Sequence, residues 1–104
     1  MTSKEEQMAI GVLFDFPGNT QAQYDDAAKK LTGGGGLKKL ADWPAKGLLM
    51  HLAGPTKTGW RVVDVWESEA HLMAFAAILM PIIKAAGFQE VPPQIFPVHN
   101  FVKA

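Results

Sequence analysis

Hydrophobic and polar residues follow two different spacings in the first third of the chain. Residues 8–16 are mostly apolar, with β-branched or aromatic residues at every second position from Ile10 to Phe16, and are followed at once by Pro17-Gly18, which predicts a strand. Residues 20–23 have the Thr-x-x-Gln spacing of a helix capping box. The next apolar residues recur at helical spacing and predict a first helix over residues 20–31: Tyr24, Ala27, Ala28 and Leu31.

The rest of the chain predicts three more strands and a longer helix. In order, we expect a strand over residues 47–53, a turn over 54–59, a strand over 60–66, a helix from Ser68 to about Ala86, and a strand over 94–102. Pro81 should kink or interrupt that helix. Residues 37–44 are expected to hold a helical turn anchored by Trp43. The order β-α-β-β-α-β predicts an α+β, ferredoxin-like fold with a four-stranded antiparallel sheet and both helices on one face.

Composition limits the size of the protein and its classes of partner. The 104 residues are 48% hydrophobic, which predicts one packed domain over residues 8–104 after a flexible N-terminus of residues 1–7. Ten basic and ten acidic residues cancel, so neither nucleic acid nor a membrane surface is an expected partner. There is no cysteine, and the longest uncharged apolar run, residues 72–83, is too short for a bilayer. The polar residues 1–7 do not resemble a secretory signal, so we expect a cytoplasmic protein.

The second helix and the sheet carry more apolar surface than one small domain covers. The second helix is apolar around most of its circumference, which indicates burial on more than one side. Both sides of the third strand are apolar, with Trp60, Val62 and Trp66 on one and Val63 and Val65 on the other. Because the helices cover one face only, we expect the Trp60 face to join a second copy in a homodimer. The alternative is that the loop over residues 33–43 caps this face.

The order of elements and two short segments resemble the dimeric α+β-barrel superfamily. The segments are Val63-Asp64-Val65-Trp66-Glu67-Ser68 and Phe96-Pro97-Val98-His99-Asn100. Members include cofactor-free antibiotic-biosynthesis monooxygenases, haem-degrading monooxygenases, muconolactone isomerases and stress-responsive barrel proteins. The resemblance implies two ferredoxin-like subunits packed sheet against sheet, each enclosing a hydrophobic small-molecule pocket. Monooxygenase-like members often have a histidine in the second helix where this chain has Phe75 and Leu79, so we expect no haem or other cofactor.

Two polar residues of the predicted hairpin are the candidate catalytic pair. With a two-residue loop at 56–57, His51 lies opposite Val62 and Asp64 is its diagonal neighbour; any even loop length keeps both on one face. We expect that face to line the barrel cavity, because the odd-numbered valines of the strand suit the helices better. A carboxylate fixes the tautomer of an imidazole and raises its basicity, so His51 is the candidate general base and Asp64 its orienting partner. The alternative is that the two residues only satisfy each other's hydrogen bonds.

Four more residues are candidate substrate contacts. Trp60 and Trp66 suit the stacking of an aromatic substrate or, alternatively, the packing of an interface. Tyr24 lies on the apolar side of the first helix, where its phenol reaches a ligand or makes one hydrogen bond in the core. In the last strand, either His99 or Asn100 faces the cavity.

Neither a metal site nor a nucleotide site is expected. His51, Asp64 and His99 are the ligand types of a facial-triad iron site, but neither His51 nor His99 has a carboxylate two residues away in the usual local pairing. The glycines at 33–36 lack the Gly-Lys-Ser/Thr of a P-loop and the third glycine of a dinucleotide fingerprint. They predict a flexible loop that acts as a lid over the cavity.

These residues favour a small enzyme that removes a proton from an aromatic or polyketide-like molecule without a bound cofactor. Isomerisation or oxygenation of the resulting carbanion by dioxygen would follow. The alternative is a non-catalytic, small-molecule-binding or stress-responsive dimer with the same pocket.

Overall fold

Residues 8–103 are described by a computed structural model and form six regular elements and one short turn. In chain order these are strand β1 (Ile10–Pro17), helix α1 (Gln21–Thr32), a 3₁₀ turn (Leu40–Asp42), strand β2 (Leu48–Pro55), strand β3 (Gly59–Trp66), helix α2 (Glu69–Ala85) and strand β4 (Gln94–Pro97). The predicted order β-α-β-β-α-β is confirmed, and so is the helical turn before Trp43. The flexible N-terminus predicted for residues 1–7 lies outside the described residues.

The four strands form one antiparallel sheet in the order β2-β3-β1-β4. The two central strands, β1 and β3, pair over their whole length, from Ile10 opposite Trp66 to Pro17 opposite Gly59. The edge strands are β2, which forms a hairpin with β3, and β4, which follows α2 and pairs with β1. The predicted α+β, ferredoxin-like architecture is therefore confirmed.

Both helices begin behind the N-caps that the sequence predicts. The Gln23 N–H donates to the Thr20 hydroxyl at 3.3 Å and the Thr20 N–H donates to the Gln23 side chain at 3.1 Å, which completes a capping box. The α1 helix ends at Gly33, whose φ of 71° favours glycine. The α2 helix follows the Ser68 cap and continues as one helix through Pro81. No helix within residues 8–103 has the length and apolar character needed to cross a bilayer.

The last strand is shorter than predicted, because it lacks a partner after Pro97. Pro97 lies opposite Ile10, the first residue of β1. One more backbone bond follows, from the Val98 N–H to the Ala9 carbonyl at 2.9 Å. The prediction of a strand over residues 94–102 is therefore wrong beyond Pro97, and the chain leaves the sheet before His99.

The face of the sheet against which both helices pack, called the helix-side face, holds the main core. Val12 and Trp66 are fully buried on this face and pack with Leu72 and Phe75 of α2. The rings of Trp66 and Phe75 lie 5.1 Å apart between centroids. The largest side chains of β3 thus fill the space between sheet and helices, where they bury the most apolar area.

The prediction that the Trp60 face lies away from the helices is therefore wrong. The alternation of side chains along β3 is as predicted, but the even-numbered residues, and not Val63 and Val65, point toward the helices. Leu37 and Trp43 of the loop after α1 cover part of the same face. This is the alternative in which the loop caps the tryptophan face.

The opposite face of the sheet, called the open face, is largely apolar and faces away from both helices. Its apolar residues come from all four strands: Gly11, Leu13, Met50, Leu52, Val63, Val65 and Phe96. Gln94 and the ion pair of Asp15 with Arg61 lie on the same face. Leu52 is 51% exposed and Phe96 is 50% exposed. The Phe96 ring lies across Gly11, where any side chain would overlap it. The sheet therefore presents apolar surface on this side.

Candidate active site

A small cavity lies between the helix-side face, both helices and the loop after α1. Its volume is about 50 Å³. Its only polar lining residues are Tyr24, His51 and Asp64, which we call the polar trio. The other lining residues are Phe14, Phe16, Ala27, Ala28, Leu31, Leu37, Trp43, Val62, Phe75, Leu79, Ile83 and Phe88. Apart from the indole N–H of Trp43, the trio therefore supplies the hydrogen-bonding side chains of this cavity.

The polar trio forms a continuous chain of short hydrogen bonds. The Tyr24 hydroxyl lies 2.7 Å from Nε2 of His51, and Nδ1 of His51 lies 2.6 Å from Oδ1 of Asp64. The other carboxylate oxygen of Asp64 accepts from the indole N–H of Trp66 at 3.3 Å. Asp64 is 5% exposed, so these bonds replace the water that a buried carboxylate needs.

For an ionised Asp64 and a neutral His51, the donor and acceptor of each hydrogen bond in the trio can be assigned in one way only. A carboxylate only accepts, so Nδ1 of His51 carries the proton that it donates to Asp64. Nε2 of His51 then has a free lone pair, which accepts from the Tyr24 hydroxyl. The basic nitrogen of His51 therefore points toward the tyrosine, and the carboxylate stabilises any positive charge that the ring acquires.

Tyr24 retains its proton well beyond neutral pH. Burial, together with the negative charges of Asp64 and then Asp25, raises the pKa of Tyr24 from 10.0 to about 12. The hydroxyl is therefore a hydrogen-bond donor under ordinary conditions. It becomes an acceptor for another proton only when it passes its own proton to His51.

The β2–β3 hairpin places His51 and Asp64 directly opposite each other. The sequence predicts a diagonal pair with a loop at 56–57, but the Thr56 N–H bonds the Gly59 carbonyl at 2.9 Å and the Gly59 N–H bonds the Thr56 hydroxyl at 3.0 Å. These bonds move the tip to residues 57–58 and shift the pairing by two residues. The loop length stays even, so both side chains share one face, as predicted.

Trp60 and Trp66 contact members of the polar trio from outside the cavity. Neither tryptophan lines the cavity, contrary to the prediction. Trp66 holds Asp64 through its N–H, and the Trp60 ring lies 5.3 Å from the Tyr24 ring between centroids. The indole N–H of Trp60 is buried without a hydrogen-bond partner among the described residues. The two side chains lie in a layer behind the trio because they fill the sheet–helix core.

The tryptophan that does line the cavity is Trp43. Its ring centroid lies 4.7 Å from that of His51, and it covers one side of the imidazole. The sequence indicates Trp43 as an anchor but not as part of the site. One feature of the sequence could have identified it as a cavity residue. Trp43 is the one aromatic residue between α1 and β2, in a loop otherwise rich in glycine and lysine.

His99 does not join the site. Like Asn100, it is exposed after the end of β4 and does not line this cavity, so the structure does not bear out the prediction that either His99 or Asn100 faces the cavity from the last strand. Within residues 8–103 no group of three His, Asp or Glu side chains is arranged to hold a metal ion. The facial-triad alternative of His51, Asp64 and His99 therefore does not assemble.

Comparison of the chain with known protein families, with curated proteins and with solved structures found no match. The chemistry of the site rests on the trio itself. A basic imidazole nitrogen backed by a buried carboxylate can take one proton, and a phenol beside it can donate a hydrogen bond to an anion. In apolar surroundings both interactions are stronger than in water.

Proposed function

We propose that the protein is a small enzyme that removes a proton from an apolar, aromatic or polyketide-like molecule, with no bound cofactor. His51 is the general base, Asp64 its orienting partner, and Tyr24 the donor that contacts the substrate. The observation that carries this proposal is the unbroken chain from Asp64 through His51 to Tyr24, which ends in an otherwise apolar cavity.

The proton moves from the substrate to Nε2 of His51 by way of the Tyr24 hydroxyl. Tyr24 gives its own proton to His51 as it takes the proton of the substrate, so the phenol ends as it began. Asp64 stabilises the imidazolium that forms. The substrate anion then accepts a hydrogen bond from Tyr24 and is either reprotonated at another carbon, which is isomerisation, or oxidised by dioxygen.

Binding without turnover is the second candidate function. It is favoured by the fact that the trio already satisfies its hydrogen bonds internally and therefore needs no substrate to stabilise it. Such a protein is a small-molecule-binding or stress-responsive dimer with the same cavity.

We also propose that two copies of the chain associate through their open faces, as in the dimeric α+β-barrel superfamily that the sequence resembles. The support is the apolar open face, on which Leu52 and Phe96 are half exposed. A twofold axis through this face places the apolar patch of one copy against the same patch of the other. The helix-side face is already covered and takes no part.

A panel of hydroxylated aromatic compounds, incubated with and without oxygen, tests the catalytic proposal. His51→Ala should lower turnover by about 10²–10⁴-fold, the usual contribution of one general base. His99→Ala is the matched control, because His99 is exposed outside the site and should leave turnover unchanged. Full activity in His51→Ala would refute the enzymatic role and leave binding as the function.

A further inference from the structure

A second and larger cavity adjoins the one that contains the polar trio. Its volume is about 400 Å³, and it lies between β1, the end of α2 and the segment that follows. We call it the outer cavity, and the first one the inner cavity. Four residues line both cavities: Phe14, Phe16, Ile83 and Phe88. A single layer of apolar side chains therefore separates the two.

The inner cavity alone is too small for a ligand of the proposed class. Its volume is about 50 Å³, whereas an apolar cavity that binds benzene has a volume of about 150 Å³. The outer cavity, at about 400 Å³, is within the range of ordinary ligand sites, roughly 300–1,000 Å³. A ring placed against Tyr24 must therefore displace the shared layer and extend toward the outer cavity.

The shared layer consists of side chains that can move on a fixed backbone. Phe14 and Phe88 are only partly buried, and both rings contact Phe16, at centroid distances of 5.3 and 4.9 Å. The buried side chain of Asn19 holds the backbone on each side of Phe88. Its amide donates to the Gly87 carbonyl at 3.1 Å, and its oxygen accepts from the Gln89 N–H at 3.0 Å. Rotation of the Phe88 ring can thus join the cavities without unfolding the segment.

We propose that the inner and outer cavities form one elongated binding site for a phenol or enol with an apolar tail. The ionisable hydroxyl end lies at Tyr24 and His51. The tail passes the Phe14–Phe88 layer into the outer cavity and lies along the apolar part of its lining, Met80, Pro81 and Val91, and not along the polar part, Lys84, Gln89 and Glu90. This inference rests on the proposed function, since it uses the trio as the site of the reacting end. Beyond the proposed function, it specifies that the ligand is elongated and that its non-reacting part lies in the outer cavity.

The test is the affinity of a series of para-alkylphenols, from phenol to a hexyl chain, measured by calorimetry. Each methylene that enters the outer cavity should tighten binding about fourfold, the factor equivalent to about 0.8 kcal/mol per buried methylene. The ring signals of Tyr24 in NMR spectra should shift with every member of the series, because the hydroxyl end stays in place. Equal affinity for all chain lengths would overturn the proposal.

A variant with a larger side chain in the outer cavity tests where the tail binds. Met80→Trp should abolish the gain in affinity with chain length, since Met80 lines only the outer cavity. Met73→Trp is the control, because Met73 is exposed on the same helix and lines neither cavity. A gain that persists in Met80→Trp would overturn the proposal. If binding depends on chain length but no compound is turned over, the elongated site stands and only the proposed reaction fails.

Discussion

His51 and Asp64 lie directly opposite each other across the β2–β3 hairpin, and their side chains meet at 2.6 Å. Cross-strand pairing thus joins an imidazole to a carboxylate that is almost completely buried. Tyr24 reaches the same imidazole from α1, so the chain of hydrogen bonds connects the sheet to a helix. The His51–Asp64 contact lies within one hairpin, whereas the Tyr24–His51 contact forms only when α1 packs on the sheet.

The two tryptophans behind the trio should differ in what they contribute to stability. Trp66→Phe removes a hydrogen bond to buried Asp64, whereas Trp60→Phe removes a buried N–H that has no partner among the described residues. The volume lost is the same in both. The free energy of unfolding, measured in urea, should therefore fall further for Trp66→Phe, by about 1–3 kcal/mol. Equal losses would show that Trp66 does not hold Asp64 in solution.

The contribution of Tyr24 to the free energy of unfolding should change with pH only in alkaline solution. The pKa of Tyr24 is about 12 in the folded protein, against an ordinary value of 10.0. A raised pKa means that the unfolded chain loses its proton first, so the stabilisation is complete below pH 10 and is lost as the pH rises toward 12. Tyr24→Phe lacks the titrating hydroxyl and therefore cannot show this loss.

The measurement is urea unfolding of the wild type and Tyr24→Phe across this range. The difference between their free energies of unfolding should be constant from neutral pH to about pH 9 and should shrink above pH 10. A difference that stays constant throughout would mean that the tyrosine is not buried against the carboxylates.

The open face should determine the oligomeric state. Leu52→Glu places a charge in the proposed interface and should yield monomers of 11.3 kDa by light scattering, where the wild type has twice that mass. Met73→Glu is the control, because Met73 is exposed on α2, away from the sheet. Wild-type protein that is monomeric at micromolar concentration would refute the dimer.

The fold was predictable because its signals are local. Capping at Thr20 and Ser68, the glycine after α1 and the alternation along β3 each involve a few neighbouring residues. The shared face of His51 and Asp64 followed from the parity of the loop alone. Hydrophobic spacing was therefore sufficient for the order of the elements.

The predictions that were wrong concern contacts between different helices, strands and loops. Both sides of β3 are apolar, so alternation alone could not show that Trp66 faces the helices. The hairpin register depends on the hydrogen bonds of Thr56 with Gly59, and the end of β4 depends on where its partner strand begins. His99 was predicted to lie in β4 because the early end of that strand was not foreseen. Trp43 was missed as a cavity residue because the path of its loop is set by tertiary packing.

The most direct test of the Asp64–His51–Tyr24 chain is the titration of Tyr24, the only tyrosine of the protein. Its ultraviolet absorbance should change with a midpoint at about pH 12 in the wild type and at a lower pH in Asp64→Asn, because the charge of Asp64 helps to raise the pKa. Asp26→Asn is the control, since Asp26 pairs with Lys30 at the surface of the same helix and should leave the midpoint unchanged. Circular dichroism at each pH confirms that the protein is folded. A wild-type midpoint near pH 10, or the same midpoint in Asp64→Asn, would contradict the buried chain on which the proposed function rests.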